Sequence, residues 1–259
     1  IKGRTREPMG RILWYSFGLT TLFALSAGTA LAADKELWTE IRRESGVIVE
    51  ERSWPEKSLV EFRGVTIIDA SIKDLFAVLF DDQFKTEWMD RISEFRVVEA
   101  FNKRRIRMYN RIQSPFALVS DRDVVFDSDI RFLPQHYTIV ARFYAVQDAR
   151  EPERDNAVRM KELSGQWVFE MTGTDETRVT YWVRADPGGL MPSWVVNIAN
   201  SRIPFRTLVN LRKQVKKPIY DRSHMLLETY FDWSGFEWSP PGDTPPAKLP
   251  DSLETTNIN

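Results

Sequence analysis

The sequence predicts an α+β fold in which a curved antiparallel sheet wraps around one long C-terminal helix and keeps an internal apolar cavity. Two patterns carry the prediction. Between Arg105 and Ala185, polar and apolar residues alternate with period two in one segment after another, as in a sheet with one wet face and one covered face. From Ser193 to about Lys217 a single long helix-compatible stretch follows, and it is the main element left to cover the apolar face. A sheet that curls around one helix without closing tightly on it leaves space between them.

Composition narrows the function. The chain has 259 residues, 42% hydrophobic and 28% charged, in the range of an ordinary globular protein. A net charge of -1 offers no basic surplus for nucleic acid. There is no cysteine, which removes disulfides, thiolate metal sites and cysteine nucleophiles. His136 and His224 are the two histidines, too few to suggest a metal centre or a His-based triad. No cofactor is expected.

Residues 1–8 read as upstream sequence, with Met9 as the start. Arg11 precedes an uncharged run, Ile12 to Ala33, bulky at first and ending in Ala30-Leu31-Ala32. A basic start, an apolar middle and an A-x-A end describe a signal peptide over residues 9–33. An uncleaved membrane anchor is the alternative. Either way the main domain, residues 34–232, is expected beyond the membrane, in a Gram-negative periplasm or secreted.

Asp34 to Arg43 reads as a short helix with Asp34 as cap. Gly46 to Trp54 and Ser58 to Ile68 read as strands. Ser71 opens a helix whose apolar positions Leu75, Phe76, Val78 and Leu79 follow helical spacing. A shorter helix is expected around Phe84 to Ile92. Arg105 to Ile112, Val124 to Phe132, Tyr137 to Ala145, Val158 to Met171 and Thr177 to Ala185 read as strands. Met191-Pro192 starts the last helix, and Pro204 is expected to kink it. Residues 233–259, Pro-rich from Trp238 onward, read as a flexible tail.

Four segments resemble the START (steroidogenic acute regulatory-related lipid transfer) family, over roughly Asp34 to Phe231. Phe84 to Met89 is similar to the family segment ending in Glu-Trp-Met, and Ser120 to Asp123 to its Arg-Asp turn. Ala157 to Met160 followed by Gly165-Gln166-Trp167 is similar to its Val-Arg strand and Gly-x-Trp. Asp186 to Asn197 resembles the hinge into its C-terminal helix, where Leu211-Arg212 also fits. The resemblance implies a helix-grip fold with a tunnel that holds one lipid. It also implies a gate formed by the helix and a strand-connecting loop, here Gln147 to Asn156; a solvated hairpin tip is the other reading of that loop. Steroidogenic members carry a buried acid–arginine pair. Here those places fall on Tyr109 or Asn110 and on Ser128, so the pair is missing, and a neutral patch of Asn110 and Ser128 is the expected substitute.

The expected lipid-lining residues on the strands are Ile106, Met108, Asn110, Ile112, Phe126, Ser128, Ile130, Tyr137, Ile139, Phe143 and Met160. On the last helix they are Val196, Asn200, Ile203, Thr207 and Leu211, near one face at helical spacing. Each has plain core packing as its alternative. Arg122, Asp121 and Asp123 read as a turn brace, Arg184 and Asp186 as a hinge brace, and Glu162 as a candidate inward acid. The expected partner is a lipid (phospholipid, fatty acid, sterol or hopanoid), bound by a monomer in transient contact with a membrane surface and without catalysis. The alternatives are a helix-grip enzyme of cyclase or hydrolase type and an envelope interaction module with no small ligand.

Overall fold

The structure, a computed structural model, describes residues 38–54, 59–114, 116, 119–186, 188–189 and 193–220. The expected signal peptide (9–33), Met191-Pro192 and the expected Pro-rich tail (233–259) lie outside them.

In chain order the described strands are β1 (Thr39–Glu44), β2 (Val47–Trp54), β3 (Leu59–Ile68), β4 (Ile92–Ala100), β5 (Arg105–Ile112), β6 (Asp121–Leu133), β7 (Thr138–Ala145), β8 (Ala157–Arg159), β9 (Glu162–Gly173) and β10 (Glu176–Asp186). The helices are α1 (Ile72–Phe80), α2 (Lys85–Trp88) and α3 (Ser193–Gln214). The strands form one curved sheet in the order β1-β2-β3-β10-β9-β7-β6-β5-β4, with β8 pairing alongside β6. Every pairing is antiparallel except β6–β8. This is the curved antiparallel sheet expected from the alternation, in the α+β helix-grip arrangement that the family resemblance implies.

The predicted helix over Asp34–Arg43 is corrected: Thr39–Glu44 is an edge strand paired to β2. Ser45 and Gly46, at φ of 51° and 72°, form a two-residue turn of the kind that matches strand twist. Trp38 lies over the guanidiniums of Arg52 and Arg63, 4.6 and 4.3 Å from its ring. Strand pairing therefore outweighs the helical spacing of Leu37, Trp38 and Ile41.

Helix α1 begins as its sequence directs. Ser71 Oγ accepts from the Asp74 N–H at 3.2 Å, an N-cap, and Ile72, Leu75, Phe76 and Val78 are buried. The second short helix stops at Trp88, ahead of the predicted Ile92; Arg91 adopts a left-handed φ of 67° and turns the chain into β4. That strand has no clean alternation to announce it, because bulges at Ile92/Glu94 and Val97/Glu99 break its period. The predicted single strand Val158–Met171 is two, separated at Met160-Lys161. The break resets the parity, so Leu163 turns inward and Glu162 is exposed. Glu162 is not an inward acid.

Helix α3 runs through Pro204 and presses closest on the sheet at Gly64. A β-carbon there would come within 2.6 Å of Leu208 Cδ1 and 3.2 Å of Pro204 Cβ, so only glycine admits this approach. Arg212 fastens the far end of the helix, donating to the Ser45 carbonyl at 2.7 Å and to Thr66 Oγ1 at 2.5 Å.

Candidate functional site

The concave face of the sheet is covered in two different ways. Under α1 it is filled. Phe76 meets Phe132 and Phe169 edge-on at 5.7 and 6.5 Å, and Ile139, paired between those two phenylalanines, is fully buried. Farther along, where only the last residues of α1, Leu79 and Phe80, still reach, a cavity of about 300 Å³ opens between β4–β10, the α2–β4 turn and α3. That volume is at the small end of the range for ligand pockets, roughly 300–1,000 Å³.

Alternation places β5 residues Ile106, Met108, Asn110 and Ile112 on the cavity wall, and Phe126, Ser128 and Ile130 from β6 stand beside them. Phe143, Met160, Ile203 and Thr207 also line it. Thr207 is engaged as well, its hydroxyl accepting from the Asp90 N–H at 3.2 Å. Three expected lining residues are elsewhere. Tyr137 sits in the β6–β7 turn at a left-handed φ of 48°, so strand parity does not govern it. Ile139 belongs to the part packed under α1, and Leu211 is wholly buried in the fastened half of α3. The side chains of Val196 and Asn200 lie outside the described residues.

Asn110 and Ser128 do not form one patch. Asn110 pairs with Val124 and Ser128 with Ile106, a separation of four residues, or roughly 13 Å at about 3.3 Å per residue. They are two isolated polar points on a greasy wall.

Sequence reasoning missed the aromatic end of the wall. Trp167 stacks on Tyr181 with centroids 4.1 Å apart, and burial pushes the Tyr181 phenol far above its ordinary value. It also missed the charges near the α2–β4 turn: Asp82, Lys85, Asp90, Arg91, Arg122 and Arg202 all line the cavity. Burial lowers Lys85 to about 8 against the weaker pull of Asp82 and Asp81. Burial raises Asp82 and Asp90, favouring their neutral forms. Asp82, Lys85, Asp90 and Arg91 lie in irregular or short elements, where no periodicity flags an inward side chain. Arg122, read as a turn brace, donates to the carbonyls of Ser120 and Gly188 while lining the cavity. Of the hinge pair, Asp186 accepts from the Gly188 N–H at 2.9 Å, whereas Arg184 turns to Glu61 at 3.4 Å.

The outer face of the same strands is a charge ladder. Asp127 takes Arg107 at 2.6 Å and Arg105 at 2.9 Å. Asp123 takes Arg159 at 2.8 Å and the Tyr109 hydroxyl at 3.2 Å. Loop 147–156 is tied onto this face. Arg107 reaches Asp148 at 2.9 Å, Arg150 reaches Glu99 at 2.6 Å, Arg154 reaches Glu94 at 3.1 Å, and Arg96 holds Glu151 through both guanidinium nitrogens. None of the loop's residues lines the cavity. Among the described residues no acidic or histidine cluster is arranged to hold a metal.

A family model for the START domain matches residues 29–218. An uncharacterized protein of Pseudomonas aeruginosa is 30% identical over 191 residues, which are 74% of this chain and 91% of that protein. Phosphatidylcholine transfer protein of Rattus norvegicus is 25% identical over 167 residues, 62% of this chain and 76% of the relative. Among solved structures, a STAR-related lipid transfer protein from Xanthomonas axonopodis superposes with a TM-score of 0.64 at 30% identity, covering 70% of this chain and 99% of that one.

Proposed function

The chain belongs to the START domain family, and we propose that it carries a lipid, held by its hydrocarbon part in the cavity beneath α3 and released without chemical change. The observation that carries this reading is the cavity itself: an apolar space of about 300 Å³ between sheet and helix that the protein's own side chains leave unfilled. Water fills an apolar cavity poorly, whereas each buried CH₂ contributes about 0.8 kcal/mol. A long acyl chain therefore supplies on the order of 10 kcal/mol before ordering costs. No reacting group is needed for that work. The names of the rat and Xanthomonas relatives, both transfer proteins, support transport over turnover.

In this reading the gate is the stretch of α3 around Arg202 and Ile203, which lines the cavity together with Asp90–Ile92 and Gln113–Ser114. Loop 147–156 is not part of it, since ion pairs hold that loop to the opposite face. The uncharged run Ile12–Ala33 supports export, so the lipid source is an envelope membrane that the monomer touches briefly. The test is native mass spectrometry of protein purified from its envelope fraction, beside Met108→Trp, which fills the middle of the wall. Wild type retains a lipid-sized mass and the variant loses it; a wild type that stays empty and takes up no lipid from vesicles overturns the reading.

A further inference from the structure

Lys85 stands out among the cavity-lining residues because its ammonium has nothing to bind. Its side chain is only 3% exposed, and Nζ has no hydrogen-bond partner. Lysines at the edge of an apolar region ordinarily extend their ammonium to water; this one turns inward. Its near neighbours are ring faces, Trp88 at 5.6 Å and Phe95 at 5.4 Å. These attract a cation but satisfy none of its three donors. Asp81 and Asp82 act on it only at a distance and form no ion pair with it. A second unsatisfied group lines the same cavity and adjoins the same phenylalanine. Asn110 faces Phe95 across the β4–β5 ladder, is 6% exposed, and has a buried amide oxygen without a partner. A half-turn of that amide presents its N–H₂ to the same space. Around them the wall carries Arg91, Arg122 and Arg202 against the carboxyls of Asp82 and Asp90, an excess of positive charge.

An unpaired buried ammonium is costly unless a counter-charge completes it. Resting on the lipid-carrier reading above, we propose that the bound lipid is anionic and enters head-inward, its oxyanion, a carboxylate or a phosphate, docking on Lys85 Nζ beside Asn110. The tail then runs along β5 and β6 past Met108 and Phe126. The oxyanion supplies the missing acceptor as a charge-assisted hydrogen bond in a water-poor site where such bonds are strong.

The test uses the full chain and two matched pairs of lipids, each pair differing only in the charged group: oleate against oleyl alcohol, and phosphatidic acid against diacylglycerol. Wild type binds the charged member of at least one pair about 30-fold more tightly, the effect of pairing one buried charge. The pair that shows the difference identifies carboxylate or phosphate as the source of the oxyanion. Lys85→Met abolishes the preference for the charged member within each pair, whatever the absolute affinity for the neutral member becomes; Lys85→Gln serves the same end if the methionine variant does not fold. Equal affinities within both pairs for wild type, or a preference that survives in the Lys85 variants, overturns the inference while the carrier reading stands. Failure to bind any of the four lipids overturns the carrier reading and this inference with it.

Discussion

The two faces of β5 and β6 share one backbone and answer opposite demands. Outward, Arg105, Arg107 and Arg111 meet Asp127, Asp148 and Asp121, and Tyr109 is sealed beneath the guanidiniums of Arg96 and Arg154 at 4.3 and 4.7 Å. Inward, one residue along, Asn110 keeps an amide oxygen without a partner, and Lys85 faces the same cavity with a bare ammonium. The charge pairs on one face are complete, while polar groups on the other await something. On these two strands the outer face spends its charges on each other, while the cavity side leaves bonding capacity unmet.

If that division is right, breaking a pair on the outer face damages the fold. The largest expected effect is at Glu61, which is 1% exposed and takes Arg52 at 2.6 Å. Glu61→Ala removes the buried carboxylate shared by Arg52 and Arg184 and lowers stability by about 3–5 kcal/mol, read by urea unfolding. A loss under 1 kcal/mol erases the contrast. On the concave side, Gly165→Ala pushes a methyl to 2.3 Å from the Trp182 carbonyl and 2.4 Å from Phe143. It costs about 1–3 kcal/mol and perturbs Phe143, a wall residue, so the melting temperature and lipid retention fall together.

The inner face predicts the reverse sign. Lys85→Met replaces an uncompensated cation by an apolar chain and stabilises the ligand-free protein by about 2 kcal/mol at pH 7. Because burial lowers folded Lys85 to about 8, the unfolded chain holds the extra proton between pH 8 and its ordinary value near 10.5. Wild-type stability therefore gains from this group as pH rises through that window, and the advantage of the variant shrinks. An advantage that stays constant from pH 7 to pH 10 contradicts the assignment. The smallest effect concerns loop 147–156. Hydrogen bonds from Arg150 and Arg107 hold Asp148 far below the ordinary carboxylate range, and Arg96 lowers Glu151. Their hold is complete above about pH 4 and fades as pH falls toward the lowered values. Cleavage of the loop by an acid-active protease should rise along that slope while the sheet stays folded.

Much of this was legible in the residues. The alternation in β5 and β6 named seven wall residues correctly, because strand parity carries from sequence to space without distortion. It failed where parity was interrupted: at Tyr137 in its turn, at Glu162 after the Met160 break, and along β4 with its two bulges. Ile139 has the right parity, yet α1 lies over it, and covering by a remote helix leaves no local mark. Lys85 was invisible for a related reason. A lysine in a four-residue helix is read as surface, and only the fold around Trp88 and Phe95 turns it inward.

The close approach at Gly64 has a mechanical consequence for α3. Leu208 and Pro204 lean on that glycine, and Arg212 is bonded to the β1–β2 turn and to Thr66, whereas Arg202 and Ile203 border empty space. The helix is thus held hard against the sheet on one side of Pro204 and borders the cavity on the other, so a side chain grown at position 64 would push the whole rod off its bearing.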